Sequence, residues 1–247
     1  MNFSEIPQYV IQRVNYNFKC FYKTDDLQFY LDLLKELSEE EKVLVHAYAL
    51  MNKHVHLLVT PRYEDSVSRM VKLLGQRYTH YFNREYCRSG SLWGERFRPC
   101  LIDARSYLLA CQRYIELAPV RAGLASHPAE YIWSSYSVNA LGEYSEFVKP
   151  HTVYNALGFN KPQRIESYRQ LFQEELALCL ADKISLHTKY GYCLGSDEFK
   201  HEIATMLGRR EVPCNQGESV EKIQIRSQNH GVKLDANTET EYFFLKS

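Results

Sequence analysis

Apolar and polar positions along the chain change period several times, and each change marks a predicted element. Residues 9–17 alternate and are rich in β-branched side chains (Val10, Ile11, Val14), which predicts a first strand. Residues 25–37 carry Leu27, Tyr30, Leu31 and Leu34 at helical spacing, with Thr24 or Asp25 as N-cap. The acidic run 38–41 reads as a solvated turn. Residues 43–51, apolar apart from His46, predict a buried strand. Asn52 and Lys53 then make a tight connection to a further strand at 54–61, a β-hairpin. The clearest helix spans 66–86, where Val67, Met70, Val71, Leu74, Tyr78 and Tyr81 form one apolar stripe and Arg69, Lys72, Arg77 and Arg84 lie on the polar remainder. Gly90, Gly94 and Pro99 break regularity over 88–99. Residues 100–102 read as one more short strand, followed by a helix capped by Asp103 or Ser106, running to about 117 and ended by Pro119 and Gly123. Strand, helix, strand, strand, helix, strand, helix is the order of an α+β fold, a ferredoxin-like antiparallel sheet covered by helices.

Residues 126–150 read as linker with Trp133, Tyr136 and Tyr144 as docking aromatics, completing a first unit over 1–150. Helical patterns at 165–180 and 198–207 predict a small helical module over 151–211, and the polar composition of 212–247 predicts an extended or disordered tail. The 247 residues are 45% hydrophobic, enough for an ordinary core. No apolar run approaches the ~18 residues of a membrane span, and the first residues lack a basic n-region and apolar h-region. The seven cysteines are scattered without a CxxC, which points to a reducing cytoplasm, and a DNA-binding role would add association with the nucleoid.

Formal net charge is +0, yet its distribution is uneven. Between Arg69 and Arg113 basic residues far outnumber acids, and the compensating acids lie at 36–41 and 174–175. Trp93 interleaved with Arg96 and Arg98 suits single-stranded bases and phosphates, although Trp93 alone could equally pin a loop to the core. On the strand at 54–61, His54 and His56 stand two apart and therefore share a face, while Val55, Leu57 and Val59 share the other. Two imidazoles fixed by a sheet form two legs of a metal site, or else two ordinary strand histidines, since HxH alone is a common pattern.

The phrases VHAYALMNKHVHLLVTP, LGQRYTHYFNREYCRSGSLWGERF and YLLACQRYIELAPVRAGLASHPAEYIWSSY occur in this order. Over about 9–136 the chain thereby resembles the REP-associated tyrosine transposases, members of the single-tyrosine HUH (histidine–hydrophobic–histidine) transposases. The stretch to about 210 resembles, less specifically, the C-terminal extension of longer members. The resemblance implies Tyr114 as nucleophile on single-stranded or hairpin DNA, leaving a 5′-phosphotyrosine and a free 3′-hydroxyl. It also implies His54 and His56 as ligands of a divalent metal, Mg²⁺ or Mn²⁺. Arg69, Lys72, Arg77, Trp93, Arg96, Arg98 and Arg121 are candidate DNA contacts, in a monomer or a homodimer. A free phenol, with a pKa of about 10, is only ~0.1% ionised at neutral pH. A Lewis acid at the phosphate would assist its attack.

One departure from the family's LNPVRAG phrase is Ala118, one helical turn after Tyr114, where an asparagine commonly completes the metal site. A methyl group cannot coordinate. The metal keeps a water or a DNA oxygen, another side chain such as Glu116 substitutes, or catalysis is weakened. On an ideal helix Glu116 points away from Tyr114, which favours the first option. Two other readings remain: a hairpin-binding module that has lost turnover, and a hydrolase using His54 and His56 to activate water.

Overall fold

A computed structural model describes residues 4–14, 18–94 and 97–206. The expected tail at 212–247 and Arg96 lie outside the described residues. The chain runs β1 (Gln8–Arg13), α1 (Thr24–Glu40), β2 (Val43–Met51), β3 (His54–Pro61), α2 (Ser66–Glu85), β4 (Cys100–Leu101), α3 (Ala104–Glu116) and α4 (Ala118–Arg121). It continues through α5 (Tyr136–Leu141), α6 (Thr152–Asn155), α7 (Lys161–Gln170), α8 (Leu178–Tyr190) and α9 (Asp197–Met206). The four strands form one antiparallel sheet in the order β2-β3-β1-β4. This is the ferredoxin-like α+β arrangement. No helix among the described residues is long and apolar enough to cross a membrane.

The two faces of the sheet have different covers. Val10, Val55, Leu57 and Val59 pack against α1 and α2 through Leu34, Leu37, Met70, Leu74 and Tyr78. Tyr9, Leu58, Ala47 and Ala49 pack against α3 through Leu108, Cys111, Tyr114 and Ile115. Strand alternation alone would put Ala47 and Ala49 on the same face as Val43 and Val45. A register shift between Val45 and Ala47 opposite Val59 and Leu58 exchanges the faces. His46, the extra residue, is buried and held by the Lys149 carbonyl and Thr60 Oγ1 at 2.7 and 2.8 Å. Two alanines thus lie beneath α3, where larger side chains would hold the helix off the sheet.

Several local expectations are revised. α1 runs on through Ser38 to Glu40, so the acidic run is a helix end, and its acids face α2: Glu36 and Glu40 pair with Arg77, and Glu41 pairs with Arg69. The first N-cap is Lys23, and Asp26 accepts from the backbone amides of Tyr22 and Lys23. Asp103 caps α3 as expected, accepting from the Arg105 amide and Ser106 Oγ. α3 ends at Glu116, ahead of Pro119 as expected, and Pro119 sits in the first turn of the short α4, where its missing N–H costs nothing.

The stretch read as linker is tied to the sheet. Leu50 N donates to the Trp133 carbonyl, Ser135 N to the Tyr48 carbonyl and Lys149 N to the Val45 carbonyl, so the edge of β2 is covered. Of its three aromatics, Tyr136 is buried, Trp133 packs at the core's rim and Tyr144 is exposed. Residues 165–180 are not one helix: α7 ends at Gln170 and α8 begins at Leu178. α8 lies against α3, with Ile184 and Leu194 in the same core cluster as Cys111 and Ile115.

Candidate active site

Register decides what surrounds the histidine pair. Arg13 pairs with His54 and Ile11 with His56 on one side, and Met51 and Ala49 pair with them on the other. Because paired residues point to one face, His54, His56, Tyr9 and Arg13 all face the α3 layer. The two imidazoles meet edge to face, their centroids 4.6 Å apart. The Tyr9 hydroxyl lies 3.0 Å from His56 Nδ1. Donation from Nδ1–H to that oxygen is the tautomer that leaves the Nε2 lone pair free.

α3 brings Tyr114 to the same place. Its ring meets that of Tyr9 at 6.4 Å and 66°, so Tyr114, Tyr9, His56 and His54 form a continuous run of ring contacts. α4 returns Arg121 over the tyrosine: its guanidinium sits 3.7 Å from the Tyr114 ring centroid and Nη2 donates to the Tyr114 carbonyl at 2.7 Å. Arg121 Nη1 is buried and has no hydrogen-bond partner among the described residues, a costly state for a charged donor. Its position beside a candidate nucleophile makes an anion the natural partner.

The electrostatics are one-sided. Burial, with Arg13 and Arg121 adding to it, pushes His54, a part-buried residue, down to about 3. Burial and the neighbouring His54 push His56 well below the usual imidazole range. Both rings are therefore neutral and able to ligate. Burial, and then the neighbouring Tyr114, hold the Tyr9 phenol well above its ordinary value, so it is a neutral hydrogen-bonding partner.

The donor set fits a loosely held divalent ion and no more. Among the described residues no group of three histidine, cysteine or acidic side chains is placed to hold a metal. Ala118 is buried and offers only its methyl group. Glu116 is no substitute: its carboxylate is fully buried elsewhere, accepting from Ser135 Oγ, Asn139 Nδ2 and the Tyr168 hydroxyl. A divalent ion there would have two imidazole nitrogens from this chain and would need water or substrate oxygen to complete its shell.

The six candidate DNA contacts among the described residues are dispersed. Arg121 joins the site. Arg69, Lys72 and Arg77 lie on α2, across the sheet from the histidines, with Arg69 and Arg77 ion-paired to α1. Trp93 packs against Tyr30 and Tyr78, and its Nε1 donates to the Gly75 carbonyl at 3.2 Å, so it pins its loop to the core. Arg98 is exposed just before β4, against the turn at Gly191. Tyr9 and Arg13 were not singled out from sequence. Their alternation with Ile11 was visible, but the pairing that sets them beside the histidines was not.

Residues 3–117 match the family model described as IS200-like transposase, a span that begins before β1 and ends just after the helix bearing Tyr114. Over this span the chain is similar to the IS200-like transposases. The fold agrees with a solved REP-associated tyrosine transposase bound to a REP hairpin, with a TM-score of 0.50 at 16% identity over 62% of this chain and 93% of that one. A solved structure from Deinococcus radiodurans R1, described as a candidate transposase, aligns at 19% identity over 44% of this chain and 88% of its own, with a TM-score of 0.34 too low to inform the fold. Comparison with curated protein sequences finds no match. The family match ends at Leu117, one residue before Ala118 and four before Arg121.

Proposed function

We propose that this transposase-family chain cleaves and rejoins single-stranded DNA at or beside a hairpin, with Tyr114 as nucleophile. The observation that carries the reading is the contact run from Tyr114 through Tyr9 to the histidine pair, under a guanidinium with an unused donor. The hairpin bound by the REP-associated relative supplies the substrate class. In the forward step a bond forms between the tyrosine oxygen and phosphorus as the phosphorus–3′-oxygen bond breaks. The phenol gives up its proton and the departing 3′-oxygen gains one. Because the covalent ester keeps the bond energy, the reverse step rejoins a strand without an external energy source.

Arg121 and the nearby Arg13 set positive charge where the phosphate's negative charge grows, and no carboxylate opposes them among the site residues. His54 and His56 would hold Mg²⁺ or Mn²⁺, which when bound supplies Lewis-acid polarisation of the phosphate. Tyr9 orients His56 for that role.

The test is incubation of the protein with a labelled hairpin oligonucleotide carrying a single-stranded flank, with Mg²⁺ or Mn²⁺, followed by a denaturing gel. A protein–DNA adduct that disappears in Tyr114→Phe is the expected result. Ala118 favours a second reading, a hairpin-binding module without turnover, and tight binding with no adduct under either metal would establish it. Free cleavage products that persist in Tyr114→Phe would instead point to metal-activated water.

A further inference from the structure

The carboxyl of Glu116 is the most constrained group near the site that the proposed chemistry does not use. It closes α3 two residues after Tyr114, so it leaves the helix on nearly the opposite side from the phenol. It is fully buried, and no cation among the described residues pairs with it. Three neutral donors converge on it from two later parts of the chain. Ser135 Oγ and Asn139 Nδ2 donate to Oε1 at 2.7 and 2.8 Å, and the Tyr168 hydroxyl donates to Oε2 at 2.8 Å.

Each donor is anchored in turn. Ser135 is fixed to β2, donating its amide to the Tyr48 carbonyl while its hydroxyl oxygen accepts from the Tyr48 amide. Asn139 Nδ2 also donates to the His46 carbonyl of β2 at 3.0 Å, and the Asn139 carbonyl accepts from the Tyr154 hydroxyl. Tyr168 is fully buried on α7 among Tyr136, Tyr154 and Phe172. One turn earlier on α3, Arg113 Nη2 donates to the Glu174 carbonyl at 2.6 Å, and its guanidinium sits 5.6 Å from the Phe172 ring centroid. An apolar side chain would fill the space at 116 without fixing a direction. A carboxyl held by three separate donors fixes the end of the helix in both position and rotation.

We propose that Glu116 is a positioning residue for Tyr114, fastening the last turn of α3 to β2 and to α7 so that helices beyond the family-matched segment hold the nucleophile over the histidine pair. This rests on Tyr114 being the nucleophile. Rotation of α3 by a few degrees would carry the phenol away from Tyr9, whereas the candidate DNA contacts Arg69, Lys72 and Arg77 on α2 and Arg98 before β4 do not ride on α3. The signature is therefore loss of rate without loss of affinity.

The experiment measures the single-turnover rate of adduct formation with saturating hairpin DNA, the DNA affinity and the thermal midpoint for wild type, Tyr168→Phe, Glu116→Leu and Glu116→Gln. Tyr168→Phe removes one of the three bonds and little volume, and it decides the matter should Glu116→Leu fail to fold. The expected rates are about threefold lower for Tyr168→Phe and about tenfold to a hundredfold lower for Glu116→Leu, with affinity within about twofold of wild type. Glu116→Gln keeps an acceptor for Ser135 and Asn139 and should recover most of the rate. Wild-type rates in folded Tyr168→Phe and Glu116→Leu would overturn the proposal, as would a fall in rate matched by an equal fall in affinity. If wild type forms no adduct, the cleavage reading falls by itself. Fluorine NMR of a fluorotyrosine at 114 then decides: an unchanged signal in Tyr168→Phe would overturn the positioning role, and a shifted or broadened one would support it.

Discussion

Tyr9 and Arg121 lie on the two halves of the proposed site, one against His56 and the other against Tyr114, and each can be removed separately. Tyr9 is fully buried, and its hydroxyl lies within hydrogen-bond distance of His56 Nδ1, where it fixes the orientation of that ring. Tyr9→Phe keeps the ring contact with Tyr114 and deletes the oxygen. Loss of such an orienting group typically weakens metal binding about 10–100-fold. Titration of Mn²⁺ into wild type and Tyr9→Phe checks this, and equal affinities would remove Tyr9 from the metal site. Arg121, by contrast, touches the ring and carbonyl of Tyr114, the proposed nucleophile. Arg121→Ala should lower the single-turnover rate about a hundredfold, as loss of a transition-state donor commonly does. It should also reduce the slope of log affinity against log salt by about one. Arg121→Lys restores the charge but neither the flat stack on Tyr114 nor the fork, so it should recover the salt slope and little of the rate. A Lys variant with full activity would show that charge alone matters there.

At the scale of elements, what the sequence discloses is what depends on near neighbours. The bounds of β2 and β3 follow from apolar runs either side of Asn52 and Lys53, and α2 follows from a long stripe at helical spacing. The cap at Asp103 follows from the short reach of an aspartate to the next amides. What escapes is long-range. The bulge at His46 is hidden because Val43–Met51 is apolar on both faces, so either register looks equally buried. The strand-like pairing of residues 133–135 with β2 is carried by backbone groups, which leave no side-chain pattern. For the site itself the histidine spacing was legible, as were Tyr114 and Arg121 through their family phrase, whereas Tyr9, Arg13 and the Glu116 network depend on which elements meet. Charge was the least legible property. The arginines of α2 looked free in the text, but α1 supplies Glu36 and Glu40 to Arg77 on the face away from the histidines. These are half-exposed pairs, so Arg77→Ala should cost at most about 1 kcal/mol in urea unfolding and leave the adduct rate unchanged. A large fall in that rate would mean that DNA also reaches the α2 face.

The whole molecule carries a pH dependence set by which ionisable groups are folded inside it. Burial holds His46 at about 4 and His54 at about 3, and holds His56 lower still than its usual range. An unfolded chain protonates all three as pH falls through about 6.5, and the folded chain does not. Their contribution is therefore complete above about pH 6.5 and is lost on acidification towards their folded values. His151 and His187 shift in the same direction, again through burial. Glu116 acts against them: burial raises it to about 7 despite its three donors, so the folded chain keeps a proton that the unfolded chain releases above about 4.5. Its contribution is complete at low pH and fades as pH rises from about 4.5 to 7. Near pH 5 the three deeply shifted histidines outweigh the single glutamate, and the unfolded chain binds about two more protons. Stability should then fall by about 3 kcal/mol per pH unit on acidification there. Above pH 7 the histidines contribute no slope, and ionised Glu116 is a standing cost that Glu116→Gln removes. Glu116→Gln should consequently gain on wild type as pH rises from 5 to 8, while His46→Asn should flatten the acid limb. Urea unfolding of the three proteins at pH 5, 6, 7 and 8 measures both effects. A wild-type stability that is level from pH 5 to 6.5 would mean that water reaches these imidazoles, and with it the sheet face that α3 is meant to seal.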